Sequence, residues 1–208
     1  MNNTLTEHTT KDIIHKAISK SMSYAQFREL VSKLAANNGT TGPEQTEDNK
    51  HYTVLNDKRM RRWDKTLKIL EEVVKQLTDY QQKVYWLVIT ESWCGDSAPS
   101  LPVMNKIASY NDRIDLKIVL RNEHPKLMDA FLTNEKMAIP KLIVIDQETS
   151  EVLGTWGPLP TKATIMANEY RQKHGALSPE FKEELQQWFN KDKGQNILND
   201  FQKLLALK

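Results

Sequence analysis

Cysteine is almost absent. Cys94 is the single one in 208 residues, so no disulfide can form within the chain, and the fold must hold by packing alone, as suits a reducing compartment. Long apolar runs are also missing: none approaches the roughly 18–20 residues of a membrane span. The start, MNNTLTEHTTKDIIHK, lacks the apolar core of a secretory signal. A cytoplasmic protein with no membrane association is the expectation. Charge of one sign is not in excess, because 29 basic and 27 acidic residues nearly cancel. No Lys/Arg cluster is long enough for a nucleic-acid footprint, and no nucleic-acid partner is expected. His8, His15, His51, His124 and His174 show no metal-ligand spacing, so no metal site is assigned. The length allows one full-sized core with an extension.

What is present centres on Lys83 to Leu101, KVYWLVITESWCGDSAPSL. Val84 to Ile89 is a continuous apolar, β-branched and aromatic run, suited to a strand buried on both faces. After Glu91-Ser92-Trp93-Cys94-Gly95-Asp96-Ser97, the residues Leu101, Met104, Ile107 and Ala108 recur at helical spacing. Cys94 thus stands where a buried strand turns into a helix. The free N–H groups of the first helical turn favour a thiolate there.

The flanks read as follows. Residues 1–10 are polar and expected to fray. Asp12 to Leu34 predicts one or two amphipathic helices, with Ser23 and Gln26 as a capping box. Asn37 to Lys50 reads as a loop or linker. Met60, Trp63, Leu67, Leu70, Val74 and Leu77 step by three or four and predict one long helix from about Asn56 to Leu77, with Arg59, Arg61 and Arg62 on its solvated face. Ile114 to Leu120 and Lys141 to Ile145 are strands. A helix opening at His124-Pro125 lies between them, and Glu151 to Trp156 makes an antiparallel hairpin with the latter strand. Thr161 to His174 and Ser178 to Leu205 are helical, the second divided at Gly194. The order predicts an α/β sheet of parallel βαβ units followed by an antiparallel hairpin, with its site at the carboxyl ends of the parallel strands. Cys94 and Arg121 fall at that edge.

These residues resemble the thioredoxin superfamily. Trp93-Cys94-Gly95-Asp96-Ser97 is similar to the Trp-Cys-Gly-x-Cys turn except at its last position, and Ile139-Pro140 stands where that family has a cis Xaa-Pro bond facing the cysteine. The resemblance covers about Lys83 to His174. It is nearest to bacterial thioredoxin family proteins with a WCGD turn and an N-terminal helical extension. It implies a thioredoxin-like α/β fold, a central mixed sheet flanked by helices, with helical extensions at both ends. The domain reading is an N-terminal helical extension over 1–82, a thioredoxin-like domain over 83–174, and C-terminal helices packed on it over 175–208. It also implies Cys94, Ser97 and Asp96 as the catalytic set, with Trp93, Gly95, Ile139, Pro140 and Arg121 binding substrate.

The departure bears on the chemistry. Ser97 occupies the place of the resolving cysteine, so a mixed disulfide at Cys94 needs an outside thiol, such as glutathione or a second protein. The helix N-terminus favours the thiolate by ~0.3–1 kcal/mol. Asp96 opposes it by ~2 kcal/mol at an effective dielectric of ~20. A mildly acidic thiol is the expectation, unless Arg121 or Lys141 approaches it. The first functional expectation is monothiol thiol–disulfide exchange, with a thiol- or disulfide-containing protein or small thiol as partner and no bound cofactor. The second is a non-catalytic module that binds a protein or peptide. A third follows the likeness of Cys94-Gly95-Asp96-Ser97 to the Cys-Gly-x-Ser turn of monothiol glutaredoxins, which share an iron–sulfur cluster with glutathione. The tryptophan before the cysteine and the long extensions argue against it.

Overall fold

The computed structural model describes residues 3–206. Four helices precede the sheet: α1 (Asn3–Ser19), α2 (Tyr24–Ala36), α3 (Glu47–Thr66) and α4 (Glu71–Asp79). Then come β1 (Val84–Thr90), α5 (Ser97–Ala108), β2 (Ile114–Leu120), a 3-10 turn (Arg121–Glu123), α6 (Pro125–Ala130), β3 (Lys141–Asp146) and β4 (Val152–Trp156). The helices α7 (Thr161–His174), α8 (Pro179–Asp192) and α9 (Gln195–Leu204) close the chain.

The mixed sheet has the order β2-β1-β3-β4. Strand β1 pairs parallel with β2, placing Val88 beside Ile118, and antiparallel with β3, placing Ile89 beside Lys141. Strand β4 is antiparallel to β3, as the hairpin pattern predicts. Only β1-α5-β2 is a parallel unit, so the expected run of such units is corrected. Strand β2 ends with Leu120 beside Thr90, and β3 begins with Lys141 beside Ile89, at the same carboxyl edge of β1. The chain therefore re-enters the sheet at the end it left, antiparallel to β1.

Alternation along the strands divides the core. Val84, Trp86, Val88, Ile118, Leu142 and Val144 belong to a cluster with buried residues of α2, α3, α4, α5 and α7 to α9. Leu87, Ile89, Val119, Ile143 and Ile145 belong to a second cluster with Ile14 and Ala17 of α1 and Leu127 and Met128 of α6. The result is a thioredoxin-like α/β fold with helices on both faces. The outer edge of β2 is covered by Met22, which exchanges two backbone hydrogen bonds with Ile118 at 2.9 and 2.8 Å.

The N-terminal third departs from expectation at three places. Residues 3–10 are helical rather than frayed, while residues 1 and 2 lie outside the described residues. The stretch read as a loop or linker is a loop over residues 37–46, but it is packed rather than free, because Thr40 and Thr41 are buried, and α3 already starts at Glu47, capped by the Thr46 side chain on the Asn49 N–H. The expected long helix is two. The chain runs extended at Leu67, Leu70 is largely exposed, and Val73 rather than Val74 is buried with Leu77. The break keeps Trp63 and Leu67 against Gly194, where a Cβ would meet them at 3.4 and 3.5 Å, and lets α4 approach the core from a new direction. The capping box at Ser23 and Gln26 is present, with bonds of 3.3 and 2.8 Å.

Candidate functional site

The buried run of β1 ends at Thr90, and the turn that follows folds over the carboxyl edge of the sheet. Cys94 is 6 % exposed. Its thiol donates to the Ile139 carbonyl at 3.2 Å, and the Ile139-Pro140 peptide bond is cis. Ser97, at the start of α5, is buried one helical turn on. Its hydroxyl faces the sulfur and lies 2.6 Å from the Thr90 hydroxyl.

Electrostatics at the sulfur run against the expectation of a mildly acidic thiol. Burial, and then the Asp96 carboxylate, push Cys94 up to about 12. The Ser97 hydroxyl and the N–H groups of Ser97 and Asp96 pull the other way and are outweighed. Neither cation that could have reversed the balance is there. The Arg121 guanidinium stacks 4.9 Å from the centre of the Trp93 ring and donates to the Met137 carbonyl at 3.5 Å. The Lys141 ammonium donates to the Thr133 hydroxyl at 3.0 Å. Desolvation is the largest effect at the sulfur, and it follows from the packed fold rather than from the local balance of helix terminus and Asp96.

Asp96 is raised to about 6 by burial, against the pull of Arg59, Lys182 and Arg171. It gives α5 no side-chain cap hydrogen bond. Gly95 lies under Arg59, whose Nη1 would be 3.8 Å from a Cβ at that position. Arg59 therefore does not belong to a solvated face as read. It is half-buried over the turn and donates to Asn56 at 3.4 Å, while Arg61 and Arg62 are exposed. The structure thus brings Trp93, Cys94, Asp96, Ser97, Ile139 and Pro140 to one edge, with Arg121 bridging over Trp93.

Other contributors went unnoticed in the sequence. Ser92 Oγ lies 2.8 Å from Thr53 Oγ1 and 3.1 Å from Thr40 Oγ1 and Thr41 Oγ1, and accepts the Thr41 N–H at 3.0 Å. Asn56 donates to the Ser92 carbonyl at 2.9 Å. These bonds tie the 40–56 region to the turn across 36 to 52 residues, and no local pattern announces them. Glu91 is fully buried beside them. An acid ending an apolar strand was the available signal.

A strand-to-helix turn of this sequence, set against a cis proline at the head of a central antiparallel strand, defines a thioredoxin-fold protein with one thiol where dithiol members have two. A family model described as thioredoxin matches residues 42–171, more than half of the chain. The chain belongs to that family, and the matched span takes in α3 and α4. A crystal structure of a protein of unknown function from Pseudomonas aeruginosa is similar, with a TM-score of 0.58 and 17% identity over 89% of this chain and 96% of that one. An HIV epitope-scaffold structure aligns at a TM-score of 0.47 and 17% identity, over 69% of this chain and 81% of its own. No curated protein matches. Among the described residues no cluster of His, Cys, Asp or Glu could hold a metal ion, and no helix is long and apolar enough to cross a membrane.

Proposed function

We propose that this protein is a thioredoxin-fold binding module, whose site edge takes an extended segment of a partner polypeptide and in which Cys94 acts as a neutral sulfhydryl. The state of the sulfur carries this reading. The attacking species in exchange is the thiolate, and burial pushes the Cys94 thiol up to about 12, so that it is protonated at neutral pH. Its proton is engaged by the Ile139 carbonyl. Beside that loop the exposed side chains of Leu132 and Met137 offer apolar contact, and backbone groups around Ile139-Pro140 offer an extended segment hydrogen bonds.

One observation favours a second reading, monothiol exchange. The Ser97 hydroxyl and the N–H groups of Asp96 and Ser97 face the sulfur and stabilise a thiolate. A partner that takes the Ile139 carbonyl for its own N–H would free the thiol proton. The thiolate would then attack the partner's disulfide, expelling one partner thiolate. An outside thiolate such as that of glutathione would attack the partner's sulfur in the mixed disulfide, releasing Cys94 as leaving thiolate.

The rate of Cys94 alkylation against pH separates the two. The binding module gives a rate at neutral pH far below that of the denatured chain, rising only in strong alkali. A rate above that of the denatured chain, with its midpoint near neutrality, would overturn it.

A further inference from the structure

Glu91 ends the apolar run of β1 and stands three residues before Cys94. It is 0 % exposed. Its Oε1 accepts the Asn122 N–H at 2.9 Å, while its Oε2 has no hydrogen-bond partner among the described residues. A carboxyl placed this way destabilises the fold relative to an apolar side chain of similar size, so its presence calls for a role other than stability. The neighbouring charges are Arg121 and Glu123 on the 3-10 turn, and the Thr41 hydroxyl lies beside it from the loop before α3.

What Glu91 anchors is that 3-10 turn. Asn122 is its middle residue, and Arg121, immediately before, reaches from the Trp93 ring to the Met137 carbonyl. Trp93 adjoins Cys94, and Met137 stands two residues before Ile139, whose carbonyl the Cys94 thiol meets, so Arg121 links the two chain segments that carry the sulfur and its partner. We propose that Glu91 is a positioning residue for the site: by holding the Asn122 N–H it sets Arg121 as a bar between Trp93 and Met137, and so governs access to Cys94. Arg121 is not among the groups that shift the ionisation of Cys94. Moving it changes access rather than acidity. The bar operates whether or not Cys94 exchanges with disulfides, and alkylation reads it directly.

The test is the iodoacetamide rate at Cys94, at one fixed alkaline pH, in full-length wild type, Glu91→Leu, Glu91→Gln, Arg121→Ala and the Glu91→Leu/Arg121→Ala pair, with a melting temperature for each. Glu91→Leu and Arg121→Ala each raise the rate about tenfold, the pair raises it no further than either alone, and Glu91→Gln, which keeps an acceptor for Asn122, stays within about twofold of wild type. An unchanged rate in Arg121→Ala, accelerations that multiply in the pair, or Glu91→Gln as fast as Glu91→Leu overturns the proposal. If Glu91→Leu does not fold, Asn122→Pro deletes the same hydrogen bond from the donor side and takes its place in the cycle.

Discussion

Asp96 sits between two opposed demands, burial that favours its acid form and three cations that favour its anion. Its carboxyl moves from an ordinary 3.8 to about 6. An acid whose folded pKa lies above its unfolded one holds more protons when folded. Its contribution to stability is therefore fully present below the ordinary value and is lost as pH rises through about 6. Asp96→Asn should raise stability at pH 7 by on the order of 1–2 kcal/mol, allowing for partial exposure, and give no gain near pH 4. Denaturant melts at the two pH values check this; an equal effect at both contradicts it. The same substitution should lower the pKa of Cys94, since the carboxylate is the second cause of its rise. Ser97 gives a further prediction. Its side chain faces the sulfur at one turn's distance, so Ser97→Cys should close a disulfide with Cys94 under mild oxidant. Two thiols still open to alkylation after oxidation would show that the pair is misaligned. The turn's identity could be read along the chain because its motif is local, whereas the placing of Ile139-Pro140 against Cys94 comes only from the resemblance to the thioredoxin superfamily, since that contact spans 45 residues. The depth of the sulfur could not be read, since it follows from helices and loops far away in sequence.

Among the elements, β1 and β3 were legible because buried strands leave continuous apolar runs, β2 by its alternation, and the mostly exposed β4 by the turn before it, while Ser23, Pro125, Ser178 and Gly194 marked helix ends by their own chemistry. The division between α3 and α4 was not. Met60, Trp63, Leu67, Leu70, Val74 and Leu77 fit one unbroken stripe, yet α3 ends before Leu67, which runs extended beside Gly194, and Leu70 stands in solvent. Trp63→Ala removes the aromatic that holds α3 on this core and should cost ~3–5 kcal/mol, roughly 10 °C in melting temperature. An unchanged melt would mean that α3 is not held there. The hydroxyl cluster allows a finer test at the same scale. Ser92→Ala strands Thr40, Thr41 and Thr53 without their common partner and should destabilise by ~1–3 kcal/mol, whereas an exposed serine changed to alanine should cost much less.

For the molecule as a whole, the sheet is enclosed by the chain's own ends: α7 to α9 share the core of one face, and α1 seals the other with Ile14 and Ala17. A chain lacking residues 1–20 should expose Leu87, Ile143 and Ile145 and bind a hydrophobic dye that the full chain ignores. Equal dye binding by both chains would show that α1 is dispensable as a cover. Helix α1 is also pinned to the far hairpin, where Lys11 donates to the Thr149 carbonyl at 3.2 Å and His15 meets the Ser150 hydroxyl at 2.7 Å, across 138 and 135 residues. Synthesis runs in the other order. At ~5–20 residues per second the hairpin leaves the ribosome roughly 7–27 s after the helix that must dock on it. Helix α1 is thus made long before the hairpin on which it is seated, and throughout that interval the nascent chain presents Ile14 and Ala17 to whatever apolar surface the cell brings near.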